Sequence, residues 1–262
     1  MQLKMDLLLS QIVRRKKEMS NLYAVIDGAK IDKLCLILEK MNVKFAPIPP
    51  EPIDDTIREY LPYMVECNDE LTRWLGGLAL QWGLYFSGDV SFVIAKKHFR
   101  NLLKIKIDGH INYFRFYESE YLEIVWSVLT DGQKGTFMGP FDEVISANAT
   151  SFSISKSEHF APIIHLSQED IDAISEKKSE VIERFIVHKI RVLESITETD
   201  EVKNVIYYLI TMGLTNQNLL YDVCCYVFKH HLNQGEQYKT VFSPSENETA
   251  TYRAESVLMG LC

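Results

Sequence analysis

The sequence predicts an α/β fold: an α+β mixed-sheet lobe over residues 1–145, a linker over 146–160, and a smaller all-helical lobe over 161–262 with a polar C-terminal tail. Three observations predict it. Short apolar runs bounded by turn residues alternate with helical periodicities as far as Phe141. From Ser167 onward, apolar residues recur only at helical spacing. Between the two patterns lies "SANATSFSISKSE", small and polar, as expected of a lobe boundary.

The elements follow in chain order. "LYAVIDGA" (Leu22–Ala29) is an apolar run closed by Asp-Gly, a buried strand. Ile31, Leu34, Cys35, Leu38 and Met41 then recur at helical spacing. "VKFAPIPPEP" ends a strand in a proline-rich connection that cannot be helix interior. "LPYMVEC" is a strand, Asp69 a cap for the helix "ELTRWLGGLA", and "QWGLYF" a further strand. Ser87 or Asp89 is expected to start a helix running to about Leu102.

"LLKIKI-DG-HINYFRFY" is a hairpin about Asp108-Gly109, since both turn residues tolerate positive φ. A two-residue loop pairs Ile107 with His110, so Ile105 faces Asn112 and Leu103 faces Phe114. One face then collects Leu103, Ile105, Ile107, Phe114 and Phe116. The other collects Lys104, Lys106, Ile111, Tyr113, Arg115 and Tyr117. Glu118 or Ser119 is expected to cap a helix that buries Leu122, Val125, Trp126 and Leu129. Thr130 and Gln133 have capping-box spacing, and Gly139-Pro140 forces a bend.

In the second half, Ser167 caps a helix with Asp170 at its third position, and Leu166 and Ile171 form a hydrophobic staple. Its expected stripe runs through Ile174, Val181, Ile182, Phe185, Ile186, Lys189, Leu193 and Ile196. A second helix from Thr199 buries Val202, Val205, Ile206, Leu209 and Ile210, with Gly213 at C′. A third, opened by Thr215 and ended by Gly235, buries Leu219, Leu220, Val223, Cys224, Val227 and Phe228. Three such helices with short turns make a small bundle. The closing "VLMGLC" is expected as a strand or turn on the core, or as a hook for a partner.

Composition excludes several functions. A net charge of −8 argues against nucleic acid as a partner, because phosphate binding needs a basic face. The run Arg14-Arg15-Lys16-Lys17 is a solvated face. Leu7-Leu8-Leu9 precedes that run, the reverse of a signal peptide. Neither Trp74–Gly88 nor Val205–Tyr221 makes a membrane span. A cytoplasmic protein is expected, with no stable membrane insertion and with its five cysteines (35, 67, 224, 225 and 262) reduced. The glycosylation-type triplets at Asn148 and Asn247 then carry no meaning.

Motifs that carry chemistry are sparse. No cysteine and histidine spacing suits a metal, and no glycine-rich phosphate loop or nucleophile elbow appears. Asp27-Gly28-Ala29-Lys30 enters a helix whose N-terminus could receive an anion, but one glycine is a weak signal. Carboxylates at Asp27, Glu66, Asp69, Asp89 and Glu118 are not placed across a cleft by spacing alone. Arg115, on an amphipathic hairpin face, is expected to pair with a carboxylate or to lie along apolar surface; partner docking and catalysis are the alternatives. Trp74, Trp82 and Trp126 each fit a core stripe, with exposed binding anchors as the alternative.

Four segments, in order, resemble a bacterial family: "LYAVIDGA", "PYMVECNDELTRWL", "WGLYFSGDVSFVIAKKHFRNLLKIKIDGHINYFRFYESEYLEIVWSVLTDGQ" and "FMGPF". The family is that of the type VI secretion system effector adaptors, also called effector chaperones. The resemblance covers about Leu22 to Phe141 and is most specific at the hairpin, "RFYE" and "GPF". The family pattern is Arg-Phe-Tyr-Asp, and Glu118 stands in the place of the aspartate. "MGLTNQNLLYDVCCYVF" is loosely similar to the variable C-terminal lobe. The resemblance implies a protein that is not an enzyme and uses no cofactor. It would bind a cognate type VI effector, often one with an apolar or membrane-inserting segment, and load it onto the spike protein VgrG. Candidate motif or partner-binding positions are Asp27, Trp74, Trp82, Arg115, Tyr117, Glu118, Gly139 and Pro140. Candidates for a groove in the helical lobe are Phe185, Leu209, Leu219 and Phe228. Two other functions stay open. One is a small-molecule or nucleotide-modifying enzyme with carboxylates converging near Asp27 and Arg115. The other is a regulatory interaction module unrelated to secretion.

Overall fold

The structure is a computed structural model that describes residues 21–154, 161–194 and 199–261. The leucine and arginine-lysine runs near the N-terminus, Ile196, Cys262 and the second part of the expected linker lie outside the described residues. The chain forms two compact units, dividing between Ile174 and Ser175.

The first unit is built on a six-stranded sheet of order β2-β3-β1-β4-β7-β8, antiparallel at every pairing. Its strands are β1 (Asn21–Asp27), β2 (Phe45–Pro47), β3 (Pro62–Glu66), β4 (Gly83–Gly88), β7 (Glu143–Ser146) and β8 (Ser151–Phe152). β1 reads as an unbroken apolar run because both sheet faces are covered. Tyr23, Val25, Met64, Leu84 and Phe86 face one core. Leu22, Ala24, Ile26, Val65 and Tyr85 face the other. That second face is closed by α1 (Leu34–Lys40) and α2 (Asp69–Gly77) through Leu34, Leu38, Leu71 and Leu75.

The first face carries α3 (Phe92–Leu102), α4 (Leu122–Val128), α5 (Asp131–Met138) and a second sheet, β6-β5-β9. In that sheet β5 (Lys104–Ile107) pairs antiparallel with β6 (His110–Tyr113) and parallel with β9 (Ile164–Leu166). The hairpin register is the expected one, Ile107 with His110 and Ile105 with Asn112. Asp108 and Gly109 sit at φ 44° and 90°, as the tight turn requires. The face sorting holds only within the strands. β6 ends at Tyr113, so Phe116 and Tyr117 are both buried rather than alternating.

Several start signals are corrected. Asn68, not Asp69, caps α2, its side chain accepting the Leu71 N–H at 2.8 Å. Ser87 stays in β4, paired with Glu143, and α3 begins after Ser91. Neither Glu118 nor Ser119 caps α4, which starts after Tyr121 without a side-chain cap. Thr130 and Gln133 do form the capping box that opens α5. Part of the expected linker is sheet: residues 146–154 turn from β7 into β8, and the Ser146 and Ser151 hydroxyls bond Asn148 and Glu143.

α6 (Gln168–Leu193) begins with a reciprocal cap, in which Ser167 Oγ accepts the Asp170 N–H and Asp170 accepts the Ser167 N–H. Within the second unit, the helical core holds Ile182, Ile186 and Ile190 of this helix. Val181, Phe185 and Leu193 are exposed, so the true stripe is narrower than expected. α7 (Thr199–Thr211) buries Val202, Val205, Ile206 and Leu209 in that core, and α8 (Gln217–Lys229) buries Leu220, Val223, Cys224 and Val227; the expected Ile210, Leu219 and Phe228 are only half-buried. Asn216 caps α8 instead of Thr215, taking the N–H groups of Asn218 and Leu219, and the helix ends at Lys229, short of Gly235. The tail is helix, not strand: α9 (Tyr238–Val241) and α10 (Ala250–Leu258) bury Tyr238, Ala254 and Val257. Thr249 caps α10 by accepting the Tyr252 N–H.

Candidate functional site

Of the residues singled out in the first unit, Asp27, Arg115, Tyr117 and Glu118 converge at the C-terminal end of β1. Asp27 is almost fully buried, and a carboxylate there is costly unless each oxygen is paired. Its Oδ1 accepts the Ala29 N–H at 3.2 Å, and its Oδ2 accepts from Arg115 Nη2 at 3.1 Å. The same guanidinium reaches Glu118 Oε1 through Nε at 3.2 Å. Arg115 thus clamps the β6–α4 junction onto β1, using the planar fork that a lysine lacks. The Glu118 carboxylate pairs with Arg115 three residues back instead of capping α4.

The clamp is extended on both sides. Gly28 packs so closely under the 58–61 turn that a Cβ would stand 2.4 Å from the Leu61 carbonyl oxygen. Lys30 Nζ bonds Glu120 Oε1 at 2.7 Å and the Gln81 carbonyl at 3.1 Å. The Ser119 hydroxyl donates to Gln81 Oε1 at 3.0 Å, which is why it is not a cap. Tyr117 Oη lies 3.4 Å from Tyr113 Oη, and the Arg115 guanidinium stands 5.7 Å from the Tyr117 ring centroid. Burial, then the bond to Tyr113, drives the Tyr117 phenol far above its ordinary pKa, so it stays protonated at neutral pH. Burial works to lower the Arg115 pKa, but Glu118, Tyr117 and Asp27 outweigh it and raise it further. Arginine and tyrosine are therefore held in their ordinary charge states. Neither is poised to move a proton near pH 7.

Gly139 and Pro140 belong to a second cluster in the same unit. Gly139 has φ +54°, and a Cβ on it would stand 2.2 Å from His98 Cε1. The buried His98 imidazole donates from Nε2 to the Phe137 carbonyl at 3.0 Å. Burial pulls its pKa down to about 4, against the raising effect of that hydrogen bond. Around it Phe99 and Phe141 stack at 5.2 Å, and Phe86 meets Phe99 edge-on at 4.8 Å. The "GPF" segment is thus a packing element.

The tryptophans separate. Trp82 is core, its Nε1–H donating to the Leu75 carbonyl at 3.1 Å, so it is not an exposed anchor. Trp74 and Trp126 are half-buried against the two cores of the first unit. In the helical unit, Leu209 is core and not available to a groove. Phe185 is exposed, Leu219 is half-buried, and Phe228 lines a concavity of about 430 Å³ with Glu194, Cys225, Lys229 and His231. Beside it Lys189 Nζ sits 3.6 Å from the Tyr221 ring centroid, while the Tyr221 hydroxyl donates to Glu194 at 2.8 Å.

Sequence reasoning reached Asp27, Arg115 and Glu118 but not Lys30, Gln81, Glu120 or His98. These are joined only across long sequence separations, and no local periodicity marks such partners. Among the described residues no His, Cys, Asp or Glu group is arranged to hold a metal ion, and no helix is long and apolar enough to cross a membrane.

Residues 22–135 match the model of a family described as Domain of unknown function (DUF4123). No curated protein and no solved structure matches the chain.

Proposed function

We propose that this chain is a cytoplasmic adaptor that binds a specific type VI secretion effector and loads it onto the VgrG spike. The observation that carries this is the resemblance of Leu22–Phe141 to the effector adaptors, most specific at the hairpin, "RFYE" and "GPF"; Arg115 and Glu118 of that pattern belong to one clamp. The family match over residues 22–135 falls within the same stretch. The clamp's chemistry is compatible with a binding role: its arginine stays charged, its phenol stays protonated, and its two carboxylates are paired to the arginine. The α/β unit is then a rigid platform, and the helical unit with exposed Phe185 and half-buried Phe228 takes an apolar effector segment.

The test is co-expression with the effector encoded beside this gene. The chain should co-purify with the effector, and the effector should fail to reach VgrG when the chain is deleted. An effector that stays soluble and reaches VgrG equally well without it would sink the proposal. An enzyme on the α/β unit would instead show turnover that Arg115→Ala abolishes without loss of folding.

A further inference from the structure

We propose that the outer edge of β6 is a docking site for an extended, acidic segment of another protein, which adds to the β6-β5-β9 sheet as a fourth, antiparallel strand. The proposal is independent of the secretion reading.

Hydrogen-bond alternation defines the edge. The Phe114 N–H donates to the Leu103 carbonyl at 2.8 Å, so Leu103 and Phe114 are a hydrogen-bonded pair. Along the register, Ile105–Asn112 and Ile107–His110 are then hydrogen-bonded pairs as well. Lys104–Tyr113 and Lys106–Ile111 are the non-bonded pairs. The N–H and C=O of Ile111 and Tyr113 therefore point away from β5. Among the described residues β6 pairs with β5 alone, and all four of its residues are exposed. Ile111 and Tyr113 are 61% and 58% exposed and, two residues apart on the strand, share one face.

Charge selects the occupant. Lys104 and Lys106 share the face of Ile111 and Tyr113. Among the described residues neither lysine has a carboxylate partner. In a chain of net charge −8 this is a locally basic strip. Lysines on or beside an edge repel a second basic strand and lose hydration beneath a neutral one, which keeps such an edge from self-pairing. They do not repel a strand with carboxylates on that face. Glutamate side chains opposite Ile111 and Tyr113 would lie over them by their methylenes and reach Lys106 and Lys104. Apolar residues at the alternate positions would continue the face of Ile105 and Ile107, which turns towards the core.

The probe is a capped, fluorescently labelled peptide of alternating glutamate and valine, EVEVEV, measured by anisotropy against the full chain. It should bind, protect the Ile111 and Tyr113 amides from hydrogen exchange, and bind about tenfold more tightly than KVKVKV. Ile111→Pro removes one outward N–H and no β5–β6 hydrogen bond, a substitution that edge strands accept. It should weaken binding about tenfold. EVEVEV methylated on its backbone nitrogens should not bind, a control that leaves the protein unaltered. Equal binding of KVKVKV or of the methylated peptide would overturn the proposal. So would protection of the Ile111 and Tyr113 amides in the free monomer, or a homodimer that Ile111→Pro dissociates.

Discussion

Arg115 joins two carboxylates of unequal burial, Asp27 at 2% exposure and Glu118 at 24%, while its own side chain is 48% exposed. The strength of the clamp therefore lies on the Asp27 side. Arg115→Ala leaves a buried carboxylate with one backbone donor and is expected to cost about 2 kcal/mol, read by chemical denaturation. Asp27→Asn should be milder, because an amide keeps the Ala29 contact without a charge. The double variant should show a coupling of about 1 kcal/mol, and additive single effects would mean the pair is merely adjacent. His98 contributes an acid-sensitive part of the stability. Its pKa falls from 6.5 unfolded to about 4 folded, so its neutral form is favoured by folding. The associated stability is complete above pH 6.5 and is lost as pH falls to 4, about 3 kcal/mol in all. His98→Gln should be less stable at pH 7 but flatter between pH 6.5 and 4 in denaturation midpoints.

At the scale of elements, boundaries depend on which side chain wins a local donor. Gln133 gives its Nε2 to the His165 carbonyl and keeps Oε1 for the Thr130 N–H, so the capping box forms as its spacing predicts. Thr130→Ala should cost about 1 kcal/mol, seen as a lower melting temperature with the hairpin amides unaffected. Glu118 and Ser119 had the same chance to cap α4, but Arg115 and Gln81 took their side chains. Asn68 and Asn216 took the caps expected of Asp69 and Thr215 because they sit one residue away with an equally short acceptor. The hairpin register was legible, because the turn residues and alternation fix it within ten residues of chain, but the alternation stops at Tyr113, short of Phe116 and Tyr117. The stripe of α6 was legible only in part: Val181, Phe185 and Leu193 flank the buried line of Ile182, Ile186 and Ile190 by one or three positions.

At the scale of the molecule, the hydrophobic core is divided. Two clusters lie on the two faces of the six-stranded sheet, and a third belongs to the helical unit. Ile145→Val in the sheet and Ile186→Val in the helical unit should each cost about 1 kcal/mol. Because the two residues belong to different clusters, the double variant should equal their sum within about 0.5 kcal/mol. A larger deviation in equilibrium unfolding would show that the two cores are energetically coupled.

By itself the sequence determined the fold class, the strands of β1, β3 and β4, the hairpin register and the helical character of the second half. All of these rest on periodicity and turn chemistry within a few residues. Only the tertiary structure decided that Asp27 meets Arg115 across 88 positions, that Lys30 meets Glu120, and that His98 packs on Gly139. It also decided that Leu209 and Trp82 are core rather than contact surface, and that Ile111 and Tyr113 stand on an edge that no other strand pairs among the described residues. The physical reason is the same throughout. A burial pattern states that a side chain leaves water, but its partner is chosen by packing between distant segments, which no local spacing encodes.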